Sequence, residues 1–362
     1  MDSRLFRTIL FAMFSLALPF CGPSAQELQI LHTNDIHSYF DHTDQNPHRG
    51  GYDQLKSLIE KRKALAEKEG IPSLVIDAGD FLEGHLYYMA DYGRKSFEMH
   101  NEMGYDIAVI GNHDYLMGTQ GLDDILRDVR PGFEFLGANV KVDSRYSYIN
   151  ESLRPYHVVE TGGKRIGFLG VTTDEFFYTW RLENGKVKDP IEVADKYAKK
   201  LKKKERCDYV VAITHIGFHS DKELAEEVPE IDLIIGGHSH TELHRPVYKE
   251  AGHAWEEVDK KIPIVQTGKH AENLGSLRLD LSNKDLRIRD YHLIPVVGQE
   301  RVGSVASLIR EAREDLNDLY GKKWLQRRVG RSSINPKNNN GMEVWAQFVS
   351  DALRESIHTD VG

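Results

Sequence analysis

Five times in this chain a short apolar run stops at a turn that carries Asp, Asn or His. The central case is Asp106 to Asp114, where four apolar residues lead to Gly111 and then to Asn112, His113 and Asp114. Leu28–Leu31 runs on to Asp35 and His37, and Ser73–Ala78 ends at Gly79 and Asp80. Tyr209–Thr214 ends at His215, and Ile231–Ile235 leads through Gly236 and Gly237 to His238, Ser239 and His240. One Asn-His-Asp turn is ordinary turn chemistry. Five such strand ends are a constraint, because in open α/β sheets the loops at the carboxyl ends of parallel strands converge on one crevice.

The intervening segments read as helices. Residues 52–69 place Leu55, Leu58, Ile59, Leu65 and Ala66 on one face and Lys, Arg and Glu on the other. Helices are also expected over 94–103, after Gly121, over 191–206 and near 221–228. Phe135–Val140 reads as a strand, and Tyr156–Thr173 as a hairpin turning at Gly162-Gly163. Strands near 263–267, 274–281 and 287–294 follow, the last two alternating as antiparallel strands do. About a dozen strands exceed what one twisted open sheet holds comfortably. The expected fold is therefore α/β, a four-layer αββα sandwich of two mixed sheets flanked by helices.

A net charge of −9 over 362 residues disfavours a grip on a nucleic-acid polymer. The lysine-rich face of 191–206 accordingly reads as a solvated surface. At the N-terminus, Arg4 and Arg7 precede an apolar run from Ile9 to Phe20, and small residues follow at Gly22, Ser24 and Ala25. This is the pattern of a secretory signal peptide over 1–25, too short for a stable membrane span. Bulky Phe20 argues against lipid anchoring at Cys21. Cleavage leaves Cys207 as the remaining cysteine, so no intrachain disulfide is expected in a secreted or periplasmic protein.

The strand ends collect Asp35, His37, Asp80, Asn112, His113, His215, His238 and His240. Asp35 and His37 are two apart, which puts both side chains on one face of an extended backbone. Oxygen and nitrogen donors without thiolate suit Mn, Zn, Fe or Mg. A single structural zinc takes four ligands and usually recruits cysteine. Seven ligands with one bridging carboxylate instead give four to each of two divalent metal ions. Two such ions about 3.5–4 Å apart form a clamp for in-line displacement at phosphorus.

The order D-x-H, G-D, G-N-H-D, H and G-H-x-H resembles that of the calcineurin-like metallophosphoesterases. Leu31–His37, Gly50-Gly51, Asp77–Asp80, Asn101–Asp106 and Gly236–Thr241 resemble more narrowly the secreted 5′-nucleotidase family, over about residues 28 to 295. The resemblance implies that Asp35, His37 and His240 hold one metal, that Asn112, His215 and His238 hold the second, and that Asp80 bridges. It implies a water activated between the metals as nucleophile, with Asn112 and His113 binding the substrate phosphoryl group. His113 is then the catalytic residue that stabilises transition-state charge. In the nucleotidases an aspartate three residues later orients this histidine; that place is Leu116 here. An imidazole without an orienting carboxylate implies weaker acid catalysis.

Residues 303–320 resemble the family's connector helix, followed by a polar loop over 332–340 and a second helix from Gly341. Trp324, Trp345 and Phe348 are expected to pack rather than face solvent. The domains expected are a signal peptide (1–25), a metallophosphoesterase domain (26–298), a connector (299–323) and the incomplete start of a nucleotidase-type C-terminal domain (324–362). The resemblance leaves the family's base-reading residues without a counterpart in this sequence, and the expectation is that the remainder of that domain lies on a partner polypeptide, that the chain is a truncated product, or that the metal domain works alone. The expected function is a secreted two-metal hydrolase of small phosphate esters, with 5′-nucleotides leading. A thiosulfate-ester hydrolase, a 2′,3′-cyclic phosphodiesterase and a non-catalytic metal- or phosphate-binding protein are the alternatives.

Overall fold

A computed structural model describes residues 26–43, 46–252, 260–324, 327–328, 331 and 339–357. The leader, Cys21 and most of the loop over 332–340 lie outside these residues. The main elements, in chain order, are β1 (Glu27–Thr33), α1 (Tyr52–Lys68), β2 (Ser73–Asp77), α2 (Arg94–Met103), β3 (Ile107–Val109), α3 (Thr119–Asp128), β4 (Glu134–Leu136) and β5 (Leu153–Arg154). They continue with β6 (Tyr156–Thr161), β7 (Lys164–Thr172), α4 (Pro190–Lys203), β8 (Tyr209–His215), α5 (Phe218–Glu227), β9 (Leu233–Gly236), β10 (Val247–Glu250), β11 (Lys261–Val265), β12 (Asn273–Asp280) and β13 (Arg287–Pro295). Helices α6 (Gly303–Tyr320) and α7 (Asn339–Ile357) follow.

Two mixed sheets form. The first has the order β13-β12-β1-β2-β3-β4-β5, and the second β10-β11-β9-β8-β7-β6. Each has a parallel centre and antiparallel pairing toward the edges. In the first, β1, β2, β3, β4 and β5 pair in parallel while β12 and β13 pair antiparallel at one side. In the second, β7, β8, β9 and β11 are parallel, with β6 and β10 antiparallel at the rims. The register opposes Thr33 to Asp77 in one sheet and Thr172 to His215 in the other. Parallel strands in step must end at a common rim, so the turns after β1, β2, β3, β8 and β9 gather there.

The sheets bury their facing sides in a shared core. Ile30, Ile76, Val109 and Leu136 from the first meet Phe168, Val211, Ile213 and Ile235 from the second. The far face of the second sheet is covered by Val193, Ala194, Ala198 and Leu201 of α4 and by Leu224 and Ala225 of α5. On the far side of the first sheet, α1 packs on β2 and β12, and Phe97 of α2 meets Phe135 of β4 edge to face at 5.9 Å between ring centroids. Helix α4 starts at Asp189, whose carboxylate accepts the Glu192 N–H, with Pro190 in its first turn. The layering is αββα, as the residue pattern predicted.

Local departures have local causes. Leu65 is half exposed, because it leaves the buried stripe that Leu55, Leu58 and Ile59 form. The apolar run 135–140 is two strands: β4 stops at Leu136, and Val140–Val142 pairs instead with Gly185–Val187. Edge strand β10, with every second residue exposed, carried no apolar signal. Cys207 is a free, buried thiol.

The chain divides after Asp315 into two compact units. In the second unit, α7 presents Val344, Trp345, Phe348, Val349 and Leu353 to solvent, contrary to the packing expected of Trp345 and Phe348. Among the described residues no helix is long and apolar enough to cross a membrane.

Candidate metal centre

The eight collected residues meet at the common rim of the two sheets. Asp35 and His37 follow β1, Asp80 follows β2, and Asn112 and His113 follow β3. His215 ends β8, and His238 and His240 follow β9. Asp35, Asp80, Asn112 and His215 are fully buried or nearly so, and His37 is buried.

Two groups of donor atoms form. In the first, His240 Nε2 lies 3.3 Å from Asp35 Oδ1 and 3.1 Å from His37 Nε2, and His37 Nε2 lies 3.8 Å from Asp35 Oδ1. In the second, Asp80, His215 and His238 bring their ligand atoms within 4.8 Å of one another. Asp80 joins them: its Oδ2 is 2.9 Å from His215 Nε2 and 3.9 Å from His37 Nε2. His113 Nε2 stands 4.0 Å from the same oxygen, so His37, Asp80 and His113 form a third overlapping group.

The rings are turned to present particular nitrogens. His37 Nδ1–H donates to the Glu83 carbonyl (2.8 Å) and His215 Nδ1–H to the Ala78 carbonyl (2.7 Å), which leaves each Nε2 lone pair facing the centre. Asn34 Nδ2 donates to Asp35 Oδ2 at 2.6 Å, and the His238 amide reaches the same oxygen at 2.9 Å. Asp80 Oδ1 accepts the His113 amide at 2.8 Å, so its Oδ2 is the oxygen turned to the imidazoles.

Residues read only in part, or missed, hold this arrangement. Asp114 does not serve the His113 ring. Its carboxylate accepts the amides of Asp80, Leu82 and Gly111, at 3.0, 2.9 and 2.7 Å, tying the turns after β2 and β3 together. Asp77 is likewise structural, accepting from Thr33 Oγ1 at 2.6 Å and from the Gly79 amide at 2.9 Å. Glu83 was invisible as a site residue: its carboxylate pairs with His113 Nδ1. Glu175 reaches His238 Nε2 at 3.3 Å, and His270 stacks on Tyr39 beside His37 and His240. None of these last three stands in a motif.

The donor set fits divalent cations. Two buried carboxylates face imidazole nitrogens, and among the described residues no Lys or Arg pairs with either. Both side-chain polar atoms of Asn112, fully buried, have no hydrogen-bond partner, an expensive state unless a ligand completes it. His215 Nε2, 2.9 Å from Asp80, lacks the alignment of a hydrogen bond, as two donors directed at one ion would. The electrostatics agree in sign. Burial opposes a positive charge on His215, but the carboxylates of Asp80 and Asp35 outweigh it and push the imidazole up to about 10. Burial alone would raise Asp80, yet His215, His37 and His113 hold its carboxyl well below the usual range. The place attracts positive charge.

A sequence model described as calcineurin-like phosphoesterase matches residues 28–242. Mouse 5′-nucleotidase is 30% identical over 302 residues, covering 78% of this chain and 51% of that protein. A snake venom 5′-nucleotidase of Gloydius brevicauda is 29% identical over 275 residues, covering 71% and 46%. The chain thus spans about half the length of the curated relatives it matches. Among solved structures, a 5′-nucleotidase precursor from Thermus thermophilus superposes with a TM-score of 0.71 at 23% identity, over 85% of this chain and 61% of that one. The sulfate thiohydrolase SoxB of the same organism gives 0.65 at 20% identity, over 82% and 62%; both likenesses show the shared fold. With the match covering more than half of its length, the chain belongs to the calcineurin-like phosphoesterase family.

Proposed function

We propose that this chain hydrolyses phosphate monoesters at a centre of two divalent cations, with 5′-nucleotides as the leading substrate class. The observation that carries the reading is the pair of donor groups, Asp35–His37–His240 and Asp80–His215–His238, joined through Asp80. Asp35, His37 and His240 would hold one cation and Asn112, His215 and His238 the other, with Asp80 shared. When bound, such a pair supplies Lewis acidity for in-line displacement at phosphorus.

The chain's own residues do the rest. Asp80, fixed by its backbone and by the His113 amide, keeps both halves of the site in register. His113, a quarter exposed and 4.0 Å from Asp80, lies where a phosphoryl oxygen enters from solvent. Its ring N–H donates to the charge that builds on that oxygen. Burial lowers the affinity of His113 for a proton, but Glu83 and Asp80 outweigh burial and raise it, which favours the donor form. The 5′-nucleotidase relatives support the substrate class. We further read residues 1–25 as a secretion signal, 26–298 as the hydrolase domain, 299–323 as its connector and 324–362 as the opening of a C-terminal domain that would bind the nucleoside.

The test is phosphate release from AMP, a 2′,3′-cyclic nucleotide and p-nitrophenyl phosphate by protein loaded with manganese or zinc. Turnover of AMP is expected. Turnover of the aryl ester alone removes the nucleotide assignment and keeps the hydrolase. Two bound metals with no turnover of any ester overturn the reading. In the same assay His113→Ala should retain metal and lose rate by about 10²–10³-fold, whereas Asp80→Ala should retain neither metal.

A further inference from the structure

We infer that Glu83, from the turn after β2, is the positioning residue for His113. The inference rests on the proposed role of His113 in phosphoryl transfer. It starts from a contact between residues thirty positions apart: Glu83 Oε2 accepts from His113 Nδ1. Neither group has another use that explains the pairing. No other side-chain carboxylate among the described residues lies within 4 Å of His113 Nδ1, since Asp80 approaches only Nε2. Asp114, next in sequence, is fully engaged by three backbone amides. With Nδ1–H committed to Glu83, Nε2 is the nitrogen left to face Asp80 and any phosphoryl oxygen beside it.

The turn that presents Glu83 is built for two tasks. Glu83 has φ of 47° and Gly84 has φ of 120°, both left-handed. A side chain at 84 would also place its Cβ 2.7 Å from Cβ of His37. This tight turn sends the Glu83 carbonyl to His37 Nδ1 and the Glu83 carboxylate to His113 Nδ1. One residue therefore orients a proposed metal ligand through its backbone and a catalytic imidazole through its side chain. The two tasks separate cleanly by mutation, because replacing the side chain leaves the carbonyl in place.

The position three residues past His113 belongs to the same space. Leu116 and Glu83 both line a cavity of about 570 Å³, together with Tyr88, Met117 and Arg181. A carboxylate at 116 would enter the cavity from which Glu83 reaches the ring, so a second route to the same contact is open to experiment.

Zinc-loaded parent, Glu83→Gln, Glu83→Ala, and Glu83→Ala combined with Leu116→Asp would be compared in three ways. Metal content by mass spectrometry should stay at the parent value in all four. In ¹⁵N-histidine spectra the parent should show a protected His113 Nδ1–H held by Glu83, with Nε2–H left to donate, and Glu83→Gln and Glu83→Ala should lose that protected Nδ1–H signal. Turnover number on p-nitrophenyl phosphate should fall about 10–100-fold in both single variants, with KM changed less than about twofold, and recover in part with Leu116→Asp. Loss of a merely structural Glu83 would lower metal content or raise KM and would not be rescued from 116. A protected His113 Nδ1–H signal unchanged in Glu83→Ala overturns the assignment. Should the parent hydrolyse none of the esters, the hydrolase reading fails by itself, and the ring-nitrogen comparison still decides the role of Glu83.

Discussion

Single residues in this protein are held in costly states near the rim where the sheets end. Asp35, His37, Asp80, His238 and His240 all have positive φ, between 53° and 76°. The left-handed region costs a non-glycine residue about 1–2 kcal/mol, and such strain collects where geometry matters more than stability. Asp221 shows a second kind of cost. It is buried, accepts from Thr214 Oγ1 at 2.6 Å, and leaves Oδ2 without a partner. Burial pushes its carboxyl up to about 7 from 3.8. The folded protein therefore holds a proton there that the unfolded chain releases near pH 4. Its stabilising contribution is full below pH 4 and is lost as pH rises toward 7. Asp221→Asn should accordingly stabilise the fold at pH 8 by an amount on the order of 4 kcal/mol, read as a higher melting temperature. The gain should shrink steadily in thermal melts taken down to pH 5. An equal gain at both pH values would mean that Asp221 is ionised in the fold throughout.

Elements matter here chiefly through their ends. The parallel register of β8 and β9 opposes Thr214 to Gly236, which brings the next residue, Gly237, against His215. A Cβ on Gly237 would lie 2.6 Å from the Ala78 carbonyl and 2.9 Å from His215 Nδ1, the two partners of one hydrogen bond. Gly237→Ala should therefore cost about 1–3 kcal/mol by overpacking. By turning the His215 ring it should also weaken metal binding about 10–100-fold. Competition against a chromogenic chelator reads the second effect, and wild-type affinity would show that the ring has room to adapt. Most strands and helices were legible in the sequence, since a three- or four-residue apolar strand such as Ile107–Val109 needs nothing but its own pattern. Edge strand β10 was not, because half of it faces solvent and its pairing partner β11 lies in a different apolar run.

At the scale of the whole molecule, the site joins two sheets whose facing sides share an apolar core. Asp35, His37, Asp80 and Asn112 come from the first sheet, and His215, His238 and His240 from the second. Metal bound to the folded state alone stabilises it by mass action, about 2.7 kcal/mol at a free concentration of 100 Kd. Zinc or manganese should thus raise the melting temperature of chelator-treated protein in calorimetry. The rise should vanish in Asp80→Ala, which removes the carboxylate common to both donor groups. A persistent rise in that variant would place the stabilising ion elsewhere.

By itself the sequence determined the layers, the five strand ends and the identity of the eight polar residues that gather there. Apolar periodicity and turn residues are local signals that survive without knowledge of the fold. What only the tertiary structure decided is how those residues are aimed. The left-handed backbone at Asp35, the Asp114 staple and the rotation of His37 by the Glu83 carbonyl all arise from contacts between separate turns. The orienting carboxylate of His113 is the clearest instance. Read along the chain, Leu116 implied its loss; in space it arrives from Glu83, thirty residues upstream. A contact made across two strand ends leaves no trace in the spacing of either.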